Sequence, residues 1–456
     1  MRSSFSFILL ASLLRSELGW SWVPSGHNAV RSTCRLDVFP KGTKLFSVAP
    51  AEPSMSTDSK ETEKKNPSSS NKDYASQRVT LTRFLSGIVQ DEPELRDMES
   101  LLLSVQMACK TISNLVNRAG IHHQVSSMES NISEDVRLKS MKRLDQLSTA
   151  VLRNALRYTG KLSLIKAAKD DCPYGEEEGP LIHQPGVLIA SGLDNKYVAC
   201  FDPLDGSGNA DATICTGTVF GVFETNDDAT SSEEEDEGVD NVVVGGGDGI
   251  EVDDGVVMKP TKPSDNLVKA VLQPGKNLRA AGYCLYSSAT ILVFTLGDGT
   301  HGFTLDPQIN EFVLTHPNIR IPQRGNVYSC NEANSEGWDQ DLKKYVKALK
   351  TGDNETKQRY ALRYVGSMAG DIHRTLMYGG IFFYPSDNDL HPHGNLQLLY
   401  KISPMSYIID QAGGKCTNGK TNLLNVTPQR VHERSPCFIG SPENINEMKQ
   451  YIPHND

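Results

Sequence analysis

A chain of 456 residues, 38% of them hydrophobic, is long enough for two domains with a sizeable core and has the composition of a soluble globular protein, which excludes fibrous and membrane-embedded classes. The formal charge of −10 argues against a nucleic-acid partner, so a multiply charged anionic substrate needs a local basic pocket. Nine cysteines with neither a C-x-x-C pair nor regular spacing exclude a zinc site and a disulfide scaffold and leave mostly free thiols.

At the N-terminus Arg2 precedes an apolar run from Phe5 to Leu14, too short to span a bilayer but suited to a signal-peptide core. Between Ser21 and Ala51 the only acidic residue is Asp37, while Arg31, Arg35, Lys41 and Lys44 lie among Ser and Thr, as in an organelle transit peptide. Residues 1–20 therefore read as a signal-like segment, and residues 21–72 as a transit peptide followed by a polar Ser- and Lys-rich linker. Such a pair resembles the two-part address of complex plastids; simple secretion is the competing reading, and neither leaves a membrane segment in the mature form.

The first strong periodicity follows. Leu101, Leu102, Val105, Ala108, Ile112, Leu115 and Val116 recur at helical spacing from Met98, with Gly120 as C-cap. A second helix is predicted from Lys142 to Tyr158 through Leu144, Leu147, Val151 and Ala155, ending at Gly160, which puts Asp145 in its first turn as a dipole-stabilising charge. Short strands are predicted at Val198 to Phe201 and Val219 to Phe223. Between Glu224 and Asp254 the chain carries 13 acidic residues around Gly245-Gly246-Gly247, too polar to fold alone; residues 224–264 read as a flexible acidic insertion.

Beyond it, Ala289 to Leu296 is a strand candidate, and Phe303 to Leu305 with Glu311 to Leu314 reads as a hairpin around Asp306-Pro307. The polar stretch His316 to Gly325, with Pro317 and Pro322, marks a boundary between residues 73–319 and 320–456. Asp341 to Leu349 reads as a helix, Gly380 to Tyr384 and Gln397 to Ile402 as strands, and Pro404 to Ala412 as a helix capped by Gly413. Strands alternating with helices predict an α/β or α+β layered sandwich.

The stretch with the densest chemistry is Phe201-Asp202-Pro203-Leu204-Asp205-Gly206-Ser207-Gly208-Asn209. Pro203 and Gly206 turn the chain out of a buried strand, so that Asp202 and Asp205 can converge on one hard cation while the amides from Gly206 to Asn209 offer an anion cradle. An Asp-rich surface turn is the bland alternative for this motif alone. Further segments give it context: Gly217-Thr218-Val219-Phe220, Leu272-Gln273-Pro274-Gly275-Lys276-Asn277-Leu278, Tyr364-Val365-Gly366-Ser367-Met368 with Asp371-Ile372-His373-Arg374-Thr375, and Tyr378-Gly379-Gly380-Ile381-Phe382.

In this order and wording the segments resemble class I fructose-1,6-bisphosphatase, from about Thr80 to Ile452. The resemblance implies a two-domain sugar phosphatase fold, a homotetramer, and Mg²⁺-dependent hydrolysis of fructose 1,6-bisphosphate to fructose 6-phosphate. It implies metal ligation by Asp202, the Leu204 carbonyl and Asp205, a water-orienting role for Asp145, and a reacting phosphate on Gly206 and Ser207. Asn331, Arg363, Tyr364 and Tyr384 match residues that hold the distal phosphate, with the arginine reaching in from a neighbouring subunit.

This sequence also departs from the family's wording. The family's two adjacent upstream glutamates fall without a gap on Ala168 and Lys169; a gapped match uses Asp170-Asp171 or Glu176-Glu177-Glu178 instead. Its downstream glutamate ligand is Lys401 here, and Asn395 and Gln397 replace a lysine and an arginine. Lys401 either pairs with Asp202 or Asp205 in the place of a cation or turns outward. Lys196 and Tyr197 fit the family's AMP site, whereas Glu224 stands at a phosphate-binding arginine, so AMP binding is not expected. Without a cysteine between Cys215 and Cys284, a thioredoxin-type switch through the insertion is not expected either. A catalytically impaired relative that binds a sugar phosphate or serves as a partner subunit is the alternative to an active enzyme; a sedoheptulose bisphosphatase fits the wording less well.

Overall fold

The computed structural model describes residues 78–119, 134–157, 163–166, 188–191, 197–224 and 272–452. The targeting segment, the caps at Gly120 and Gly160, the upstream acidic candidates Asp170 to Glu178 with Ala168 and Lys169, and insertion residues 225–264 lie outside the described residues.

Helix α1 (Leu81–Asp91) is capped by the Thr80 side chain, which accepts the Arg83 amide, and α2 (Arg96–Asn117) buries the predicted stripe from Met98 through Ile112. Helix α3 (Glu134–Arg157) starts well before Lys142. Asp145 is consequently a mid-helix residue, and a first-turn dipole role does not apply to it.

Eight strands then follow one another across a single antiparallel sheet: β1 (Ser163–Lys166), β2 (Leu188–Ser191), β3 (Tyr197–Asp205), β4 (Thr216–Glu224), β5 (Leu278–Tyr286), β6 (Thr290–Thr295), β7 (Thr300–Asp306) and β8 (Glu311–Ile319). Both faces of its middle are covered. Along β3, Val198 and Cys200 enter a core shared with the C-terminal half, whereas Ala199 and Phe201 enter a core shared with α1, α2 and α3, as the two-residue period of a strand requires. The β7–β8 hairpin forms with Leu305 opposite Phe312. β8 continues through Pro317 to Ile319, which an edge strand tolerates, so the turn-rich stretch is shorter than the sequence predicts.

The C-terminal part contains β9 (Val327–Ser329), α4 (Gln340–Thr351), β10 (Ala361–Leu362), α5 (Met368–Tyr378), β11 (Ile381–Tyr384), β12 (Leu396–Gln397), α6 (Ser403–Gln411), β13 (Lys415–Thr417), β14 (Arg434–Ser435), β15 (Cys437–Gly440) and α7 (Pro442–Tyr451). A second sheet has the order β10-β9-β11-β15-β13, and β12 pairs with β14 separately. Ile372, Leu376, Met405 and Ile408 from α5 and α6 share one core with Phe382 and Ile439 of this sheet and Val198 of the first. Leu342, Tyr345 and Met448 from α4 and α7 cover its other face against Phe383 and Phe438. The result is a helix–sheet–helix–sheet–helix layering, an α/β sandwich as predicted.

One predicted strand is absent. Of Gln397 to Ile402, only Gln397 belongs to a strand; Leu398–Ile402 is a widened π-type helical turn that runs directly into α6. Leu398, Leu399, Tyr400 and Ile402 are all buried, so the run has no exposed face from which a strand could be told from a helix. This winding sets the direction of Lys401.

β4 and β5 flank residues 225–271 and are clasped where they leave off. Phe223 pairs with Leu278, Gln273 Nε2 donates to the Glu224 carbonyl at 2.8 Å, and Arg279 Nε donates to Glu224 Oε2 at 2.7 Å.

Candidate active site

β3 ends at the candidate site. Its register against β4 shifts between Asp202 and Asp205, where Pro203 has no amide to donate, and Thr218 Oγ1 reaches across at 2.8 Å to the Pro203 carbonyl. Gly206 then adopts φ 71°, a left-handed conformation, and a Cβ there would meet Ser367 Cβ at 2.9 Å. Only glycine satisfies both conditions. A helical turn, Ser207–Ala210, follows, and Asn209 Nδ2 donates to the Val365 carbonyl at 3.2 Å, tying this loop to the residues before α5.

Asp202 and Asp205 are 3% and 4% exposed. Between them stands Lys401, whose Nζ lies 2.8 Å from Asp202 Oδ2 and 3.1 Å from Asp205 Oδ1. The other oxygen of Asp205 accepts the Ser367 hydroxyl at 3.0 Å and the Ala369 amide at 3.1 Å, at the N-terminus of α5. Leu204 is buried between the two aspartates in sequence.

Burial disfavours the Lys401 ammonium, but Asp202 and Asp205 together outweigh it and hold its pKa above the ordinary lysine value. The Asp202 carboxyl is pushed up, chiefly by burial, with Lys401 acting in the opposite direction. Asp145 joins the group from α3. Burial pushes its carboxyl up to about 6, a Ser207 hydrogen bond opposes this, and the nearby Asp202 and Lys401 act in opposite senses.

A second polar group lies around Tyr384 at the end of β11. The Tyr384 hydroxyl accepts Asn395 Nδ2 at 3.3 Å and Asn334 Nδ2 at 3.4 Å, and Asn331 Nδ2 donates to Asn334 Oδ1 at 3.3 Å. Arg434, on β14, donates to the Asn395 carbonyl at 3.0 Å and also to its side-chain oxygen. Tyr364 lies near both groups: burial first, then Tyr384, Asp371 and Asp205, push its phenol up to about 12. Arg363 does not join. It is exposed and donates to the Leu362 carbonyl at 3.0 Å.

The loop carrying Tyr364 is fixed by Asp371, which accepts the Val365 and Gly366 amides at 3.1 and 3.2 Å and the Arg374 guanidinium at 2.9 Å. His373 is a packing residue, bonded to Tyr283 at 2.8 Å and lowered to about 4 by burial.

The sequence match extends over all of this. The description "Fructose-1-6-bisphosphatase, N-terminal domain" fits residues 79–317, and "Fructose-1-6-bisphosphatase, C-terminal domain" fits residues 321–453. The chain belongs to the fructose-1,6-bisphosphatase family. It is 38% identical over 356 residues to fructose-1,6-bisphosphatase 1, chloroplastic, of Arabidopsis thaliana, covering 78% of this chain and 76% of that one. To the cytosolic fructose-1,6-bisphosphatase of Oryza coarctata it is 36% identical over 378 residues, covering 82% and 94%, and to the chloroplastic one of Spinacia oleracea 37% over 373 residues, covering 82% and 80%.

Members of the fructose-1,6-bisphosphatase family use divalent metal ions, and the donors seen here do not fit one. Among the described residues no three His, Cys, Asp or Glu side chains converge to hold a metal, and the space between Asp202 and Asp205 is filled by an ammonium. A unit charge pair at 4 Å is worth about 4 kcal/mol at an effective dielectric near 20, so a divalent ion beside Lys401 is opposed by roughly 8 kcal/mol. Asp202, Asp205 and Asp145, which the sequence groups together, lie near one another in the fold. The sequence missed Ser367, Asn334 and Arg434 as parts of the same surface; only Ser367, a serine just before a helical pattern, left a signal.

Proposed function

We propose that the protein is a phosphoric monoester hydrolase acting on fructose 1,6-bisphosphate, releasing phosphate and leaving fructose 6-phosphate. The observation that carries this is the turn after β3, where Gly206 and Ser207 sit beside Asp145 in a chain that matches the family through both of its domains. The amides at the start of that turn suit a phosphoryl group, the Asn209 amide being already given to the Gly206 carbonyl at 2.8 Å. A carboxyl near 6 is mostly ionised at neutral pH and able to take a proton from water, the part we assign to Asp145. Asn331, Tyr364 and Tyr384, together with Arg434, suit the distal phosphate, because guanidinium binds it bidentately and phenol or amide donors complete the shell.

The resemblance makes Mg²⁺ the expected ion, with Asp202, Leu204 and Asp205 as its ligands. As folded, Asp202 and Asp205 pair with Lys401 instead, and no step is assigned to a metal. Two carboxylates paired with one ammonium, with Asp145 nearby, also leave a phosphate dianion in an unfavourable field. This favours a second reading, a catalytically impaired relative that binds the sugar phosphate or serves as a partner subunit. Phosphate release from fructose 1,6-bisphosphate, with sedoheptulose 1,7-bisphosphate as control substrate and calorimetric binding of fructose 6-phosphate in parallel, separates the two. Turnover at the level of an ordinary metal phosphatase eliminates the impaired reading; binding without release eliminates the enzyme.

The same proposal includes a division near residues 319 and 320, a family-like homotetramer into which Arg363 reaches across subunits, and plastid import directed by residues 1–72. Chloroplastic and cytosolic relatives both occur, so the address rests on the N-terminal composition. Light scattering tests the assembly, and a fluorescent fusion of residues 1–72 tests the destination.

A further inference from the structure

We propose that Lys401 is a built-in counter-ion that replaces a divalent cation at Asp202 and Asp205, so that this protein does not take up metal there. The inference rests on the reading above that these aspartates form the reacting end of the site. Three observations carry it. The ammonium is within ion-pair distance of both carboxylates at once, 2.8 and 3.1 Å. Its stem cannot readily withdraw: the side chain is 18% exposed, it leaves a helical turn whose other members Leu398, Leu399, Tyr400 and Ile402 are buried, and that turn is pinned by Leu398 N donating to the Glu433 carbonyl at 2.7 Å. The remaining oxygen of Asp205 is engaged by Ser367 and Ala369, leaving little donor capacity for an ion to recruit.

A carboxylate pair awaiting metal carries uncompensated charge until the ion arrives. Here the compensation is covalently attached, so the fold is complete without an ion and is indifferent to its concentration.

Mn²⁺ titrated into the full-length protein and followed by electron paramagnetic resonance of the free ion tests this directly. The native protein and Asp202→Asn are expected to take up Mn²⁺ equally, any shared uptake belonging to other acidic residues. Lys401→Ala is expected to gain a site at least tenfold tighter, about 1.4 kcal/mol, that the double variant Lys401→Ala/Asp202→Asn loses. Should Lys401→Ala fail to fold, as judged by circular dichroism, Lys401→Gln takes its place. Native protein that binds Mn²⁺ more tightly than Asp202→Asn overturns the inference and leaves the phosphatase reading intact; no gain on removing Lys401 overturns it too. Absent phosphate release with no uptake at Asp202 does the reverse.

Discussion

Ser367 and Asp205 meet at 3.0 Å across 162 positions of sequence, joining the cap of α5 to the end of β3. The hydroxyl has two tasks, because Ser367 Oγ also accepts the Gly370 amide at 3.4 Å. Ser367→Ala is expected to lose about 1–2 kcal/mol of stability, the worth of a cap together with one hydrogen bond to a charged group. Urea denaturation with an unchanged slope checks it.

Removal of the Lys401 charge has a larger effect. Lys401→Met strands two buried carboxylates and is expected to cost about 3–5 kcal/mol, the range for breaking a buried pair by deleting one partner. Lys401→Glu, which adds a carboxylate at the same point, is expected to melt lower than the native protein without Mg²⁺, to recover Tm as Mg²⁺ is added, and to release phosphate from fructose 1,6-bisphosphate faster than the native protein. An Mg²⁺-independent melt for this variant contradicts the assignment.

Asp145 makes stability depend on pH in a definite direction. Its carboxyl lies at about 6 in the fold against an ordinary 3.8, so between those values the folded state binds more proton than the unfolded one, and stability falls as pH rises through that window. The full effect is on the order of 3 kcal/mol, reached above pH 6. His373, lowered to about 4, acts oppositely over an overlapping range. The difference between native protein and Asp145→Asn therefore isolates the Asp145 carboxyl: the variant is expected to be more stable at pH 7 and equal to the native protein near pH 3, by thermal melts across that range.

Arg434 is expected to supply positive charge where Asn395 and Gln397 are neutral. Arg434→Leu should weaken fructose 6-phosphate binding roughly tenfold or more, with Arg434→Lys recovering part, as bidentate recognition of phosphate predicts. Calorimetry with both variants at matched ionic strength measures it.

The sequence made different parts of this molecule legible for different reasons. α2 was visible because one of its faces is apolar and the other polar. β5 was not, because Arg279, Ala280, Ala281 and Gly282 look nothing like a strand; Gly282 is required there by the Phe220 ring, whose Cζ would lie 2.3 Å from an added Cβ. The turn at Leu398–Ile402 has the sequence of a strand because full burial erases periodicity. Asp202 and Asp205 were found from their spacing beside Gly206. Whether Lys401 would face them could not be read from spacing, since a strand and a wound turn direct that side chain differently. Arg434 was hidden because its partner Asn395 is brought close only by β12–β14 pairing.

The clasp of Glu224 with Gln273 and Arg279 holds together the two ends of the scaffold that flank residues 225–271, like the posts of a doorway. Whatever is written into that interval need only match its two jambs. It is a natural place for grafting: exchanging the interval for a short tight turn, or for a foreign peptide of similar reach, leaves the register of β4 and β5 in the keeping of residues outside it.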